Sequence, residues 1–140
     1  MLPLRLVFDT NGLVSEALKP EGLQRTAFLL AITKPARLYV SAAIMDEYAE
    51  VLARPGLGIP KGARLQMLQL IKNRGHLVAP SQRLDVCGDA DDNIFLECAD
   101  VARADYLITG NLKHFPAFWK STKAITAREF VTLAASHLMG

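Results

Sequence analysis

The sequence predicts an α/β fold, a parallel sheet buried on both faces and built from strands that alternate with helices. Three observations carry this. Short apolar runs of strand length alternate with longer stretches of helical periodicity, which is the pattern of βαβ units. The strand runs are nearly continuous in apolar residues rather than alternating, as expected where both faces of a sheet are covered. The chain has 140 residues, 51% hydrophobic and 21% charged, which suits one globular domain and excludes a disordered chain.

Residues 4–8 (Leu-Arg-Leu-Val-Phe) read as the first strand, closed by Asp9-Thr10-Asn11-Gly12. Helical patterns over 11–18 and 22–33 lead to a second strand at 37–40 (Arg-Leu-Tyr-Val), which ends at Ser41. A helix over 42–53 follows. Pro55-Gly56-Leu57-Gly58-Ile59-Pro60 is then a loop between helices rather than a domain boundary. The next helix, 60–73, carries Leu65, Met67, Leu68, Leu70 and Ile71, and a weaker third strand at 76–79 is stopped by Pro80. A helix over 92–103 precedes the fourth strand at 105–109 (Asp-Tyr-Leu-Ile-Thr), stopped by Gly110-Asn111. A short fifth strand at 123–126 and a last helix at 127–138 complete the pattern. With no repeat, low-complexity stretch or linker, residues 1–140 are expected to form a single domain.

Several classes of function are excluded at this level. No apolar run approaches the ~20 residues needed to span a bilayer. No basic head followed by an apolar stretch marks a secretory signal. Cys87 and Cys98 are too few for a disulfide framework and form no CxxC motif. A soluble, reduced, cytoplasmic protein is expected. The net charge of +2 is uninformative, but the charges are sorted. Between Glu50 and Asp85 there is no acid, while Arg54, Lys61, Arg64, Lys72, Arg74 and Arg83 are all present. Lys113, Lys120, Lys123 and Arg128 likewise stand between Asp105 and Glu129 without an acid. Asp85, Asp89, Asp91, Asp92, Glu97, Asp100 and Asp105 crowd one stretch, with only Arg103 among them. Basic surfaces beside an acidic pocket suit a metal-dependent enzyme acting on a polyanion.

In an open parallel sheet the ligand site lies outside the carboxyl ends of the strands. Asp9 directly follows the first strand there. Thr10 and Asn11 can cap the next helix equally well, which leaves Asp9 free for another role. On the helix after the second strand, Ile44, Met45, Tyr48, Val51 and Leu52 make one apolar face, and Asp46 and Glu50 fall opposite. Glu47 falls at the border, roughly 90° from the centre of that face, and so is expected to be half-buried. Asp92 has the same border position on its helix, next to Ile94, Phe95, Cys98, Ala99 and Ala102, with Glu97 and Asp100 directed to solvent. Asp89 and Asp91 precede that helix and can cap it, although three aspartates so close repel one another without a cation nearby. Thr109 and Asn111 end the fourth strand at the same edge, whereas Asp105 opens it at the opposite edge. Three carboxylates with neutral oxygen donors suit a hard cation, Mg²⁺ or Mn²⁺. The scattered Cys and His residues form no zinc constellation, and there is no P-loop, GxGxxG or GxSxG.

These residues together resemble the PIN domain family of nucleases, in the branch of VapC-like toxins of toxin–antitoxin modules. The matching pieces are Val7-Phe8-Asp9-Thr10-Asn11, the stretch Ser41 to Leu52 with Glu47, Asp89-Ala90-Asp91-Asp92-Asn93 with Phe95-Leu96, and Ala104-Asp105-Tyr106-Leu107-Ile108-Thr109-Gly110-Asn111. They occur in the family's order across nearly the whole chain. The resemblance implies a three-layer α/β/α sandwich around a parallel sheet of about five strands in the order 3-2-1-4-5. It also implies metal-dependent cleavage of RNA with Mg²⁺ or Mn²⁺, a cognate antitoxin as partner, and a homodimer as a further assembly. Asp9, Glu47 and Asp92 match three of the family's acids. The fourth falls at Asn111, which supplies an oxygen ligand but no charge. Thr109, Asn11 and Asp89 are supporting residues, and Lys113, Arg54 and Arg64 are candidates for tracking an RNA backbone. His114 is read as structural or base-stacking, Cys98 as a small core residue, and Phe115, Phe118 and Trp119 as a cover over the sheet edge. A binding module that holds RNA or protein without cutting is the competing reading, because the fourth carboxylate is missing. Phosphotransfer is a distant third, since no DxDxT follows the first strand.

Overall fold

The computed structural model describes residues 4–18 and 22–139. Six strands, β1 (Arg5–Phe8), β2 (Arg37–Val40), β3 (His76–Leu77), β4 (Tyr106–Ile108), β5 (Phe118–Trp119) and β6 (Thr122–Ile125), form one sheet in the order β3-β2-β1-β4-β6-β5. The helices are α1 (Thr10–Leu18), α2 (Leu23–Ala31), α3 (Ala42–Leu52), α4 (Lys61–Arg74), α5 (Asn93–Ala102) and α6 (Ala127–Met139). Pairing is parallel throughout except between β5 and β6. The expected fifth strand is β6, so the five parallel strands keep the order 3-2-1-4-5.

The correction is β5, a two-residue antiparallel strand on the outer edge. Its turn into β6 runs through Lys120 at φ 53°, a left-handed conformation normally signalled by Gly or Asn. With lysine there, the chain carries no hairpin signal.

Local sequence accounts for most boundaries. Ser41 caps α3, its Oγ accepting from Ile44 N at 3.2 Å. Thr126 and Glu129 cap α6 reciprocally: Thr126 Oγ1 accepts from Glu129 N at 3.1 Å, and Thr126 N donates to Glu129 Oε1 at 3.2 Å. The acidic stretch before α5 is a separate 3₁₀ turn, Ala90–Asp92, capped by Asp89 Oδ1, which accepts from Asp91 N at 3.0 Å.

Successive side chains of a strand point to opposite faces. Leu6, Val7 and Phe8 are all buried, as are Leu38, Tyr39 and Val40, and Leu107 and Ile108. Both faces of the central strands are therefore covered. Helix α5 lies against β1, β2 and β4, while α2 packs on α6 and α3 packs on α4 and α5. This frame holds the carboxyl ends of β1 and β4 side by side: Val7 pairs with Leu107 and Phe8 with Ile108, and Asp9 N continues the ladder to Ile108 O at 3.0 Å.

Two expectations about exposure are corrected. Glu97 does not point to solvent; its Oε2 accepts from Leu84 N at 2.9 Å. Asp100 is nearly enclosed, 2.6 Å from Lys120 Nζ and 3.0 Å from Gln82 Nε2, and these contacts hold its carboxyl below the usual range, Lys120 foremost. Both acids tie the 78–92 segment and the β5 turn to α5. Phe115 and Trp119 cover the sheet edge as expected, but Phe118 is 59% exposed, with Lys123 Nζ 5.9 Å from its ring centroid. Cys98 is fully buried in the core.

Candidate active site at the carboxyl edge of the sheet

A cleft of about 210 Å³ opens at the carboxyl edge, lined by Asp9, Asn11, Glu47, Asp89, Asp91 and Asp92 together with Arg54 and His114. The residues expected at the site are thus largely brought together. Asp9 arrives from the end of β1, Glu47 from the second turn of α3, and Asp92 from the 3₁₀ turn that enters α5.

Asp9 is buried, and both its oxygens are engaged. Oδ1 accepts from Gly12 N at 2.9 Å, and Oδ2 accepts from the hydroxyl of Thr109. Asp9 is therefore itself the cap of α1, which corrects the expectation that Thr10 or Asn11 would take that role. Thr10 Oγ1 is buried without a hydrogen bond, and Asn11 is exposed in the cleft. Each carboxylate oxygen has two lone pairs, so capping does not exhaust Asp9 as a ligand. Burial pushes its carboxyl up, Thr109 and Gly12 oppose that, and Asp92 adds to it.

Glu47 is half-buried as expected, and burial raises its carboxyl, reinforced by Asp91 and Glu50. Arg54 works in the opposite direction and also lies 3.5 Å from Glu50 in an exposed pair. Asp92 is likewise pushed up by burial, and its Oδ2 is buried with no well-directed hydrogen bond. His114 Nδ1 sits 3.2 Å from that oxygen and lowers the carboxyl, while Asp89 and Asp91 raise it.

Thr109 lies beneath the cleft rather than in it. Its hydroxyl also accepts from Asn111 N at 2.9 Å. Asn111 does not line the cleft; its Nδ2 is 3.0 Å from His114 Nε2. His114 thus bridges Asn111 to Asp92. Lys113 is exposed on the 3₁₀ turn Leu112–His114, and Arg64 is half-exposed on α4; of the three expected backbone-tracking residues only Arg54 lines the cleft.

Sequence reasoning missed two residues that hold this edge. Tyr48, counted as apolar face, is buried and donates its hydroxyl to the carbonyl of Phe8, one residue before Asp9. Its ring packs against Phe95 at 6.4 Å, and Phe95 meets Phe115 edge-on at 6.5 Å, which supports the turn carrying His114. Asn93 is buried, and its Oδ1 accepts from Val86 N at 3.0 Å and Cys87 N at 2.8 Å. Only tyrosine's amphipathic character and asparagine's place in a mostly apolar helix hinted at these roles.

Among the described residues no three Asp, Glu, His or Cys side chains are drawn together as a ready-made metal cage. Mg²⁺ needs none, since it keeps several waters and takes one or two carboxylates. The donor set fits such an ion: hard oxygens only, a buried carboxylate oxygen on Asp92 without a hydrogen bond, and acids whose mutual repulsion a cation would relieve.

Comparison with known proteins agrees with this architecture. An uncharacterized protein of Methanocaldococcus jannaschii is 26% identical over 113 residues, 79% of this chain and 72% of that protein. The crystal structure of VapBC2 from Rickettsia felis, bound to a DNA fragment from its promoter, contains a chain that superposes with a TM-score of 0.62 at 15% identity, covering 88% of this chain and 98% of that one. VapBC-1 from nontypeable Haemophilus influenzae gives a TM-score of 0.60 at 15% identity, with 89% and 99% coverage. At such identities these structures speak for the fold. The sequence match over residues 5–113 carries the rest, and with it the chain belongs to the PIN domain family.

Proposed function

We propose that the chain is a metal-dependent endoribonuclease that hydrolyses RNA phosphodiester bonds, folded as one domain over 1–140 and acting in the cytoplasm as the toxin of a toxin–antitoxin pair. The observation that carries this reading is the convergence of Asp9, Glu47 and Asp92 on one cleft. Members of the family are generally nucleases, and both similar solved structures are VapBC complexes, which supports a protein antitoxin as partner. No helix among the described residues is long and apolar enough to cross a membrane.

Asp9, Glu47 and Asp92 are the residues that would hold Mg²⁺ or Mn²⁺. Such an ion, when bound, lowers the pKa of an attacking water and stabilises charge on the phosphate. The protein's part is placement. Thr109 and Gly12 N fix the rotation of Asp9. Tyr48 pins the backbone just before it. His114, held by Asn111, orients Asp92. Asn111 therefore acts through His114 rather than as a ligand. Asp89 and Asp91 add negative potential at the mouth, and Arg54 partly offsets it. No side chain need form a covalent intermediate.

The test is cleavage of a labelled single-stranded RNA pool in Mg²⁺ or Mn²⁺, with EDTA and Asp92→Asn controls. Cleavage lost in both controls supports the reading. Cleavage that survives Asp92→Asn in a folded protein assigns the chemistry to another site. The second reading, a binding module without catalysis, is favoured by Asn111 standing where the family has an acid. It predicts RNA retention without cleavage in every arm.

A further inference from the structure

A second concave surface lies at the opposite, amino-terminal edge of the sheet. This groove of about 940 Å³ is lined by Lys34, Arg37, Asn73, Arg74 and His76, with no acidic residue in its walls. The four basic residues come from two stretches of chain far apart in sequence: Lys34 and Arg37 from the connection that leads α2 into β2, and Arg74 and His76 from the turn that leads α4 into β3. All four are exposed, and among the described residues none is ion-paired to an acid. A solvated helix face would explain cations from one helix, but not cations from two distant connections facing one concavity.

Two features make the groove ordered. The His76 ring packs at 5.3 Å on Tyr39, which is buried beneath it. Asn73 is held by Gln69, whose Nε2 donates to its Oδ1 at 3.0 Å.

We infer that this groove is a phosphate-backbone site for single-stranded RNA, and the inference rests on the ribonuclease reading of the other edge. The carboxyl-edge cleft is dominated by carboxylates, and Arg54 beside it already faces Glu50. A polyanion gains little affinity there and must be anchored elsewhere. Three unpaired cations in one groove offer that anchor, whereas an acidic peptide would leave the donors of Asn73 and the His76 ring without a defined role. The chain then grips at one edge of the sheet and cuts at the other.

The test measures binding of a long oligouridylate to the full chain by fluorescence anisotropy, in EDTA to prevent cleavage, across a salt series. The variants are the triple Lys34→Gln, Arg37→Gln, Arg74→Gln and the corresponding triple to glutamate, each checked for an unchanged melting temperature. Single-strand contacts contribute about 0.7 each to the log–log salt slope, so loss of three lowers the slope by about two units. Cleavage of a short oligonucleotide in Mn²⁺ stays at the wild-type rate, because none of the three residues belongs to the cleft. An unchanged slope in both triples overturns the proposal, as does wild type that binds no RNA. Groove-dependent binding of polyglutamate with an indifferent RNA slope also overturns it and makes the partner an acidic protein. A groove-dependent slope without cleavage of any RNA sinks the nuclease reading and leaves the groove standing. Cleavage with an indifferent slope does the reverse.

Discussion

Replacing Thr109 with valine tests whether Asp9 is held and ionised by its neighbour. Thr109 is buried; its hydroxyl donates to Asp9 Oδ2 and accepts from Asn111 N at 2.9 Å. Valine keeps the shape and removes both bonds. A hydrogen bond to a charged group is worth about 1.5–3 kcal/mol, and an orphaned amide adds about 1 kcal/mol when partly wet. The expected loss at neutral pH is therefore about 3 kcal/mol, on the order of a hundredfold in the folding equilibrium. The pH dependence has a definite sign. Burial raises Asp9 above its ordinary 3.8, and the Thr109 bond opposes that rise. With the hydroxyl gone, the folded-state value climbs further. A carboxyl raised on folding has its greatest stability below the unfolded pKa and loses it as pH rises to the folded one. The penalty of Thr109→Val is thus largest at neutral pH and falls to about 1 kcal/mol once Asp9 is protonated in both states, since only neutral hydrogen bonds are then lost. Urea titrations of both proteins at neutral and acid pH measure it. Equal penalties at the two pH values, or a neutral-pH penalty under about 1 kcal/mol, would refute the coupling of Thr109 to the charge on Asp9.

Other substitutions follow from the same contacts. Asn93→Ala leaves the amides of Val86 and Cys87 without their acceptor and is expected to cost about 2–4 kcal/mol, with hydrogen exchange at those two amides rising before the rest of the protein. Gly12→Ala places a Cβ 2.2 Å from Phe8 Cε1, so the buried ring must move, at about 1–3 kcal/mol of overpacking; thermal denaturation reads this. Lys120→Ala removes the main cause of the lowered Asp100 carboxyl, so that carboxyl titrates at higher pH by NMR. Because Asp100 is lowered on folding, its contribution is present above the unfolded pKa and disappears as pH falls through the folded one; the stability lost in Lys120→Ala fades in acid.

The order of elements was legible because burial on both faces leaves continuous apolar runs, and because helices here begin at residues with local signals such as Ser41. What escaped depends on contacts between distant parts of the chain. The β5 hairpin turns through a left-handed Lys120, and α5 ends at a left-handed Arg103 with φ 52°; glycine at either position would have announced the turn. Glu97 and Asp100 have a solvent-facing phase on α5, but the segment before the helix folds back over them and supplies Leu84 N and Gln82. Periodicity describes one helix and is silent about what returns to cover it. Strand ends and helix borders were enough to bring Asp9, Glu47 and Asp92 to one cleft, since these are backbone properties. The side-chain chain from Asn111 through His114 to Asp92 was not legible, because His114 reaches Asp92 only through the turn after β4.

That chain gives Asn111 a part at this edge: it holds the ring that faces Asp92. Neutral imidazole has one donor and one acceptor nitrogen. Asn111 Nδ2 lies 3.0 Å from His114 Nε2, and His114 Nδ1 lies 3.2 Å from the buried Oδ2 of Asp92; an amide, with both a donor and an acceptor, can partner either neutral tautomer. The amide thus holds the ring beside a carboxylate oxygen that has no well-directed hydrogen bond. An aspartate at 111 would require the proton on Nε2 and would turn a lone pair toward Asp92, unless the ring became cationic. Asn111 then contributes orientation where a carboxylate would contribute charge. The cleft already holds Asp89 and Asp91 beside Asp92, both of which raise its carboxyl. One more negative group would add repulsion to a cluster that already holds several carboxylates, whereas one amide holds the ring that faces Asp92.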